Sequence, residues 1–203
     1  MAELIDIYTE DKEPMGAILK KDYYSQDNNS QNPWIKCVTC FVIDKKTGKI
    51  LFEKRGKNVI DPGKLDLCSG HIRHGEVPAQ GMMRELNEEL SIDFEHATKM
   101  SRIGEMKIDY TNLPSESQRK NLKCFVTVFA LALENVSMIK ADPKEVEGIG
   151  WLDYGDAVKF IKFGMTRLPY NDITEEQYME VFLRLEEYIR SLSQRPERDF
   201  SEK

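Results

Sequence analysis

The chain has 203 residues, 35 acidic side chains against 29 Lys and Arg, and a formal charge of −6, which is long enough for one domain with a full-sized core and short for two. The acidic balance and the lack of a dense basic run argue against general nucleic-acid binding, and no apolar run approaches the length of a membrane span. The start, MAELIDIYTEDKEP, is acidic where a secretory signal would be basic and then apolar, so a cytoplasmic chain with no membrane partner is expected.

In chain order, residues 1–33 read as an N-terminal extension in which KDYYSQDNNSQNP is polar, turn-rich and expected to be a loop or linker. The core, about 34–165, begins with a strand over Ile35 to Ile43, followed by strands at Ile50 to Lys54 and Leu65 to Ser69. Cys37 and Cys40 form a C-x-x-C in the first of these, but strand positions three apart face opposite sides. With no second such pair and no H-x-x-x-H, a structural zinc site is not expected, and the four cysteines (Cys37, Cys40, Cys68, Cys124) read as reduced core thiols.

The next element is a helix over Pro78 to Leu90, since a proline in the first turn loses no hydrogen bond. Ala79, Met82, Met83, Leu86 and Leu90 make its buried stripe, and Glu85, Glu88 and Glu89 share an adjoining, surface-facing row by the i, i+3, i+4 relation. At about 5 to 6 Å and an effective dielectric near 20, each pair of carboxylates costs on the order of 3 kcal/mol. A helix dipole does not relieve this, because these acids lie toward the C-terminal end. In a cleft they would need a cation, and hard divalent ions with oxygen ligands are the natural partner; an exposed acidic face is the alternative.

Farther along, strands are expected at Met100 to Tyr110, Leu122 to Leu133 and Gly148 to Leu152, with helices at Tyr154 to Phe160 and Glu175 to Leu192. Leu122 to Leu133 is apolar on both parities and should be a central strand covered on both faces. The last helix, within a C-terminal element at about 174–192, carries Tyr178, Val181, Phe182, Leu185 and Ile189 on one stripe. DYTNLPSESQRKN, residues 109–121, is a long polar excursion of the kind that often carries function, and SQRPERDFSEK reads as a frayed tail. Strands interspersed with helices imply a single α/β domain.

The spacing from Gly70 to Glu76 and on to Arg84-Glu85-Leu86-Asn87-Glu88-Glu89-Leu90-Ser91-Ile92 resembles the signature of the Nudix hydrolases, a glycine, a glutamate, then R-E-U-x-E-E-x-G-U. Ser91 stands where the family has its last glycine, at the expected left-handed end of the helix, a conformation that costs a non-glycine residue about 1 to 2 kcal/mol. The resemblance implies an α/β/α sandwich with a mixed β-sheet, the box forming loop-helix-loop, and Mg²⁺- or Mn²⁺-dependent hydrolysis of a diphosphate linked to another moiety.

Carried over by position, Glu85, Glu88 and Glu89 would hold the metal, with the Gly70 carbonyl a further ligand and Glu85 or Glu89 the general base. Glu76 and Arg84 would form a structural ion pair. A further acid from a loop near the last strand would be Glu145 or Glu147. Arg55, Lys57, Lys64 and Arg73 could screen a polyphosphate. His71 and His74 read as substrate contact or loop polarity, not a metal pair, and Trp34 and Trp151 as core residues.

The N-terminal extension, PGKLDLCSGHI and EVEGIGW are similar to the isopentenyl-diphosphate isomerase branch of that superfamily. This gives a rival function, isopentenyl-diphosphate delta-isomerase, which resembles a Nudix protein with an incomplete box and a cysteine directly before Gly-His. Here Ser69 takes that place and Cys68 lies one residue earlier, turned to the opposite face of a strand. The intact box favours hydrolysis. A non-catalytic, ligand-binding Nudix module is the third reading, and the N-terminal segment could pair across a homodimer.

Overall fold

The computed structural model describes residues 3–25, 32–110, 122–166 and 175–193. In chain order the elements are β1 (Leu4–Tyr8), β2 (Pro14–Leu19), α1 (Lys20–Ser25), β3 (Trp34–Asp44), β4 (Ile50–Arg55), β5 (Leu65–Asp66), β6 (Cys68–His71), α2 (Pro78–Leu90), α3 (Phe94–Ala97), β7 (Ser101–Asp109), β8 (Lys123–Leu133), β9 (Val146–Leu152), α4 (Tyr154–Lys162) and α5 (Glu175–Ser193).

The strands form one mixed sheet organised around β3. One edge of β3 runs parallel to β8 from Ile35 opposite Cys124 to Asp44 opposite Leu133, and β7 pairs antiparallel with β8 on its far side. The other edge of β3 is shared in succession by β1, β6 and β4, all antiparallel. β9 and β5 both pair with β4.

Alternation along β3 divides the core in two. Ile35, Phe41 and Ile43 pack with the α5 stripe of Tyr178, Val181, Phe182 and Leu185, while Val38, Cys40 and Val42 pack with Met82, Leu86 and Leu90 of α2. Helices on both faces make this an α/β/α sandwich, as the signature implies. β8, lying between β3 and β7, is buried along nearly its whole length, which accounts for its apolar residues on both parities. Where β7 bulges at Gly104, a Cβ would stand 2.8 Å from Val181 of α5, so the glycine lets the helix come close.

Three sequence expectations are corrected. The N-terminal extension is part of the main sheet: β1 pairs with β3 through Ile7 opposite Ile35 and Tyr8 opposite Trp34, and Ile5 is buried. The stretch beginning at Lys20 is a short helix before it leaves the described residues, because Tyr23 is fully buried and its hydroxyl donates to Pro33 O (3.0 Å) and accepts from Lys123 N–H (3.3 Å). A tertiary anchor overrides a polar local sequence. The strand expected over Leu65 to Ser69 breaks into β5 and β6, which pair with different neighbours, and Asp66 Oδ1 accepts the Leu67 N–H (2.9 Å) at the break. The polar excursion beyond Tyr110 and the C-terminal tail lie outside the described residues.

Candidate metal and substrate site

Helix α2 begins at Pro78, with Gln80 Oε1 accepting the Val77 N–H (3.1 Å). It ends at Ser91, which is left-handed (φ 56°), as its place in the signature predicts. The Ser91 N–H reaches Asn87 O and the Ile92 N–H reaches Leu86 O, both at 3.0 Å, and these bonds close a left-handed helix terminus. Ser91 Oγ also donates to Lys140 O (3.0 Å), a bond that glycine could not make.

Arg84 organises the acids at the helix centre. Its Nε and Nη2 donate to the two oxygens of Glu76 (2.8 and 3.0 Å), Nη2 also to His71 O (2.8 Å), and Nη1 to Glu85 Oε1 (2.6 Å) and Glu88 Oε2 (3.1 Å). Glu76 Oε2 accepts the Arg73 N–H as well (2.9 Å). Hydrogen bonds from Arg84 hold the Glu76 carboxyl below its usual range, the behaviour of a charge fully matched by donors. The expected structural ion pair is present, and one arginine binds three carboxylates where the sequence suggested one.

The three remaining box acids are not equivalent. Glu88 is exposed, with a side-chain accessibility of 47%, whereas that of Glu85 is 12%. Glu89 lies inside the protein at 5%, which corrects the expectation of a surface-facing position. Its Oε2 accepts the Ser69 N–H (3.2 Å). Burial, opposed by Arg84, raises the Glu85 carboxyl to about 6; burial and the Glu85 charge raise Glu89 further. Gly70 leaves room for the Glu85 carboxylate in the position where Arg84 holds it, since a Cβ there would overlap that side chain and force it to move.

These groups open onto a cleft of about 440 Å³. Glu85, Glu88, Glu89, Ser69, Gly70 and His71 line one part of it, Arg55, Asp66 and Glu145 another, and Glu3, Lys20, Tyr24 and Arg73 a third. Met106 and Ile108 of β7 and Cys124 and Val126 of β8 supply apolar lining. Glu145 thus reaches the site, while Glu147 is bound to Lys54 (3.0 Å) and is not among the lining residues. Of the four proposed cations, Arg55 and Arg73 line the cleft and Lys57 and Lys64 do not. His71 contacts the Tyr24 hydroxyl (2.7 Å) and His74 contacts Asp6 (2.6 Å), so the two histidines serve different partners. Trp34 stacks on Phe125 and Trp151 packs against the core beside α2.

Glu53, Asp66, Glu3, Lys20 and Tyr24 escaped the sequence reading. A signal for Glu53 was available, an acid inside the apolar run Ile-Leu-Phe-Glu of a strand. The N-terminal residues had a weaker one, the period-two placement of Ile5 and Ile7.

The family described as the NUDIX domain matches residues 34–177. The fold is similar to that of the Deinococcus radiodurans protein DR0079 (21% identity, TM-score 0.57, covering 81% of this chain and 91% of that one). It is also similar to the MutT protein of Methanosarcina mazei (21%, 0.54, 78% and 96%) and to the E. coli dihydroneopterin triphosphate pyrophosphohydrolase (19%, 0.53, 77% and 95%). At such identities the likeness is one of fold. No curated protein matches the chain.

Proposed function

Since this chain belongs to the Nudix domain family, we propose that it is a hydrolase of a small organic diphosphate, with Glu85, Glu88, Glu89 and the Gly70 carbonyl holding Mg²⁺ or Mn²⁺. The observation that carries this reading is the convergence of those residues and Glu145 on one cleft whose acids outnumber the cations facing them. An all-oxygen donor set of this kind suits a hard divalent ion. Such an ion, when bound, supplies acidification of a water and neutralisation of phosphate oxygens.

The chain's own residues divide the remaining work. Arg84 holds Glu85 Oε1, and whichever of Glu85 and Glu89 is released from tight ligation would accept the proton of the attacking water. Arg55 and Arg73 line the cleft and are the cations proposed to screen a diphosphate, with the apolar lining receiving the rest of the substrate. Arg73, held by Glu88 at 3.3 Å and Glu3 at 3.7 Å, also ties the N-terminal hairpin to the site.

The place of Cys68 favours hydrolysis over the isomerase reading. Its thiol is 1% exposed, faces the core beneath α2 and is raised well above the usual thiol range by burial, while Ser69 takes the cleft position.

The deciding experiment measures phosphate-containing products from a broad panel of diphosphate compounds, isopentenyl diphosphate included, with and without Mg²⁺, with Glu89→Gln as control. Metal-dependent cleavage lost in the variant is expected and names the substrate. Isomerisation of isopentenyl diphosphate without cleavage, or saturable binding without turnover, would overturn the reading.

A further inference from the structure

Glu53 lies on β4, and alternation from Leu51, which packs in the core beneath α2, turns its side chain toward that helix. It is 2% exposed, and its Oε1 is buried with no hydrogen-bond partner. Oxygens of Glu53 and Glu89 and the sulfur of Cys68 all lie within 4.8 Å of one another. The nearby cations are committed elsewhere, Arg55 to Asp66 (3.0 Å) and Arg84 to Glu76 and Glu85. Among the described residues neither Glu53 nor Glu89 forms an ion pair. Buried carboxylates in that state are neutralised by a proton or by a metal.

We infer that Glu53, Cys68 and Glu89 form a second cation position, interior to the one that the box acids offer in the cleft, and selective for a thiophilic divalent ion such as Zn²⁺. Two carboxylates and one thiolate make a three-ligand set with a position left open, the arrangement of non-structural zinc sites. The sulfur discriminates against Mg²⁺ and Ca²⁺. Binding turns the Cys68 S–H into a thiolate and releases its proton to solvent. Glu89, which lines the cleft, gives the ion its route inward and joins the two positions.

The test uses the full chain, stripped with a chelator and kept in a non-thiol reductant, with Co²⁺ as the probe. A thiolate-to-cobalt charge-transfer band is expected, saturating at one Co²⁺ per chain, persisting in excess Mg²⁺ and erased by Zn²⁺. Glu53→Gln and Cys68→Ser should each remove the band and weaken Zn²⁺ binding at least tenfold, while Glu88→Gln keeps it. Circular dichroism verifies folding, and two separate ligand variants guard against one that fails to fold.

Absence of the band in folded wild-type protein, or its survival in Glu53→Gln, would overturn the inference. So would a Glu53→Gln variant that melts higher than a wild type whose melting Zn²⁺ does not raise, since the two acids would then share only a proton. Glu53 and Cys68 have no part in the hydrolytic reading, so a band without turnover would sink that reading alone, and turnover without a band would sink this one alone.

Discussion

Glu76 and Glu89 belong to the same acidic signature and meet opposite surroundings. Glu76 accepts both arms of the Arg84 guanidinium and the Arg73 N–H, and its carboxyl is held below the ordinary range. Glu89 lies deeper, accepts the Ser69 N–H, and has other acids, Glu85, Asp66 and Glu145, for its electrostatic company. The first carboxylate is satisfied by the fold and braces it. The second costs the fold something unless a cation arrives, and under the proposed function that shortfall is what would equip it to bind one.

The sharpest way to break this contrast is to remove Arg84. Arg84→Ala leaves Glu76 and Glu85 without their cation, and in this part-buried set the loss of charge-assisted hydrogen bonds should cost about 2 to 3 kcal/mol. The loss should appear in the urea midpoint. A cost below about 1 kcal/mol, typical of surface pairs, would show that Glu76 is no better matched than Glu89.

Removal of charge on the other side should injure chemistry and spare the fold. Glu88→Gln and Glu89→Gln are each expected to lower turnover on a true substrate at least a hundredfold, about 2.7 kcal/mol of barrier. The melting temperature should be unchanged for exposed Glu88 and raised, in metal-free protein, for buried Glu89. Wild-type rates in both would remove the metal assignment.

Acidity gives a third and smaller test. The Glu85 carboxyl titrates near 6 in the folded protein against an ordinary value of 4.5, so the folded state binds more protons than the unfolded one between those values. The contribution of Glu85 to the stability of the metal-free protein is therefore fully present below about 4.5 and is lost as pH rises through 6, by about 2 kcal/mol. Glu76 has the opposite sign, its contribution being lost as pH falls. Melting curves across pH 4 to 7, with and without Mn²⁺, should show the decline and its reversal by the ion. A flat profile would mean that Glu85 is matched by Arg84 as fully as Glu76 is.

The same contrast explains what could be read from the chain alone. Periodicity located the box helix to the residue, because Pro78 at its start and the Met82, Leu86, Leu90 stripe are local signals. The Glu76–Arg84 pair was legible through resemblance, since both partners lie within the signature. Glu53 and Asp66 were not, because their importance arises when β4 and β5 pair and bring them beside α2, and no local spacing encodes that meeting. Nor was the depth of Glu89, since helical geometry gives the direction of a side chain without stating what covers it. The N-terminal hairpin was missed for the related reason that its partner strand, β3, lies beyond an intervening polar stretch.

Ser91 provides the smallest and most local test, at the one box position where this chain departs from the signature. A left-handed serine carries about 1 to 2 kcal/mol of strain, offset by the Oγ bond to Lys140 O, for which an ordinary net value is about 0.5 to 1.5 kcal/mol. Glycine would relieve the strain, forfeit the bond and add unfolded-state entropy, so Ser91→Gly should alter stability by less than about 1 kcal/mol. Turnover should not change, because Ser91 is exposed and does not line the cleft. A severalfold change in turnover at unaltered melting temperature would mean that the helix terminus positions Glu88 or Glu89. The division between residues that brace the box and residues that bind through it would then have to be redrawn along α2.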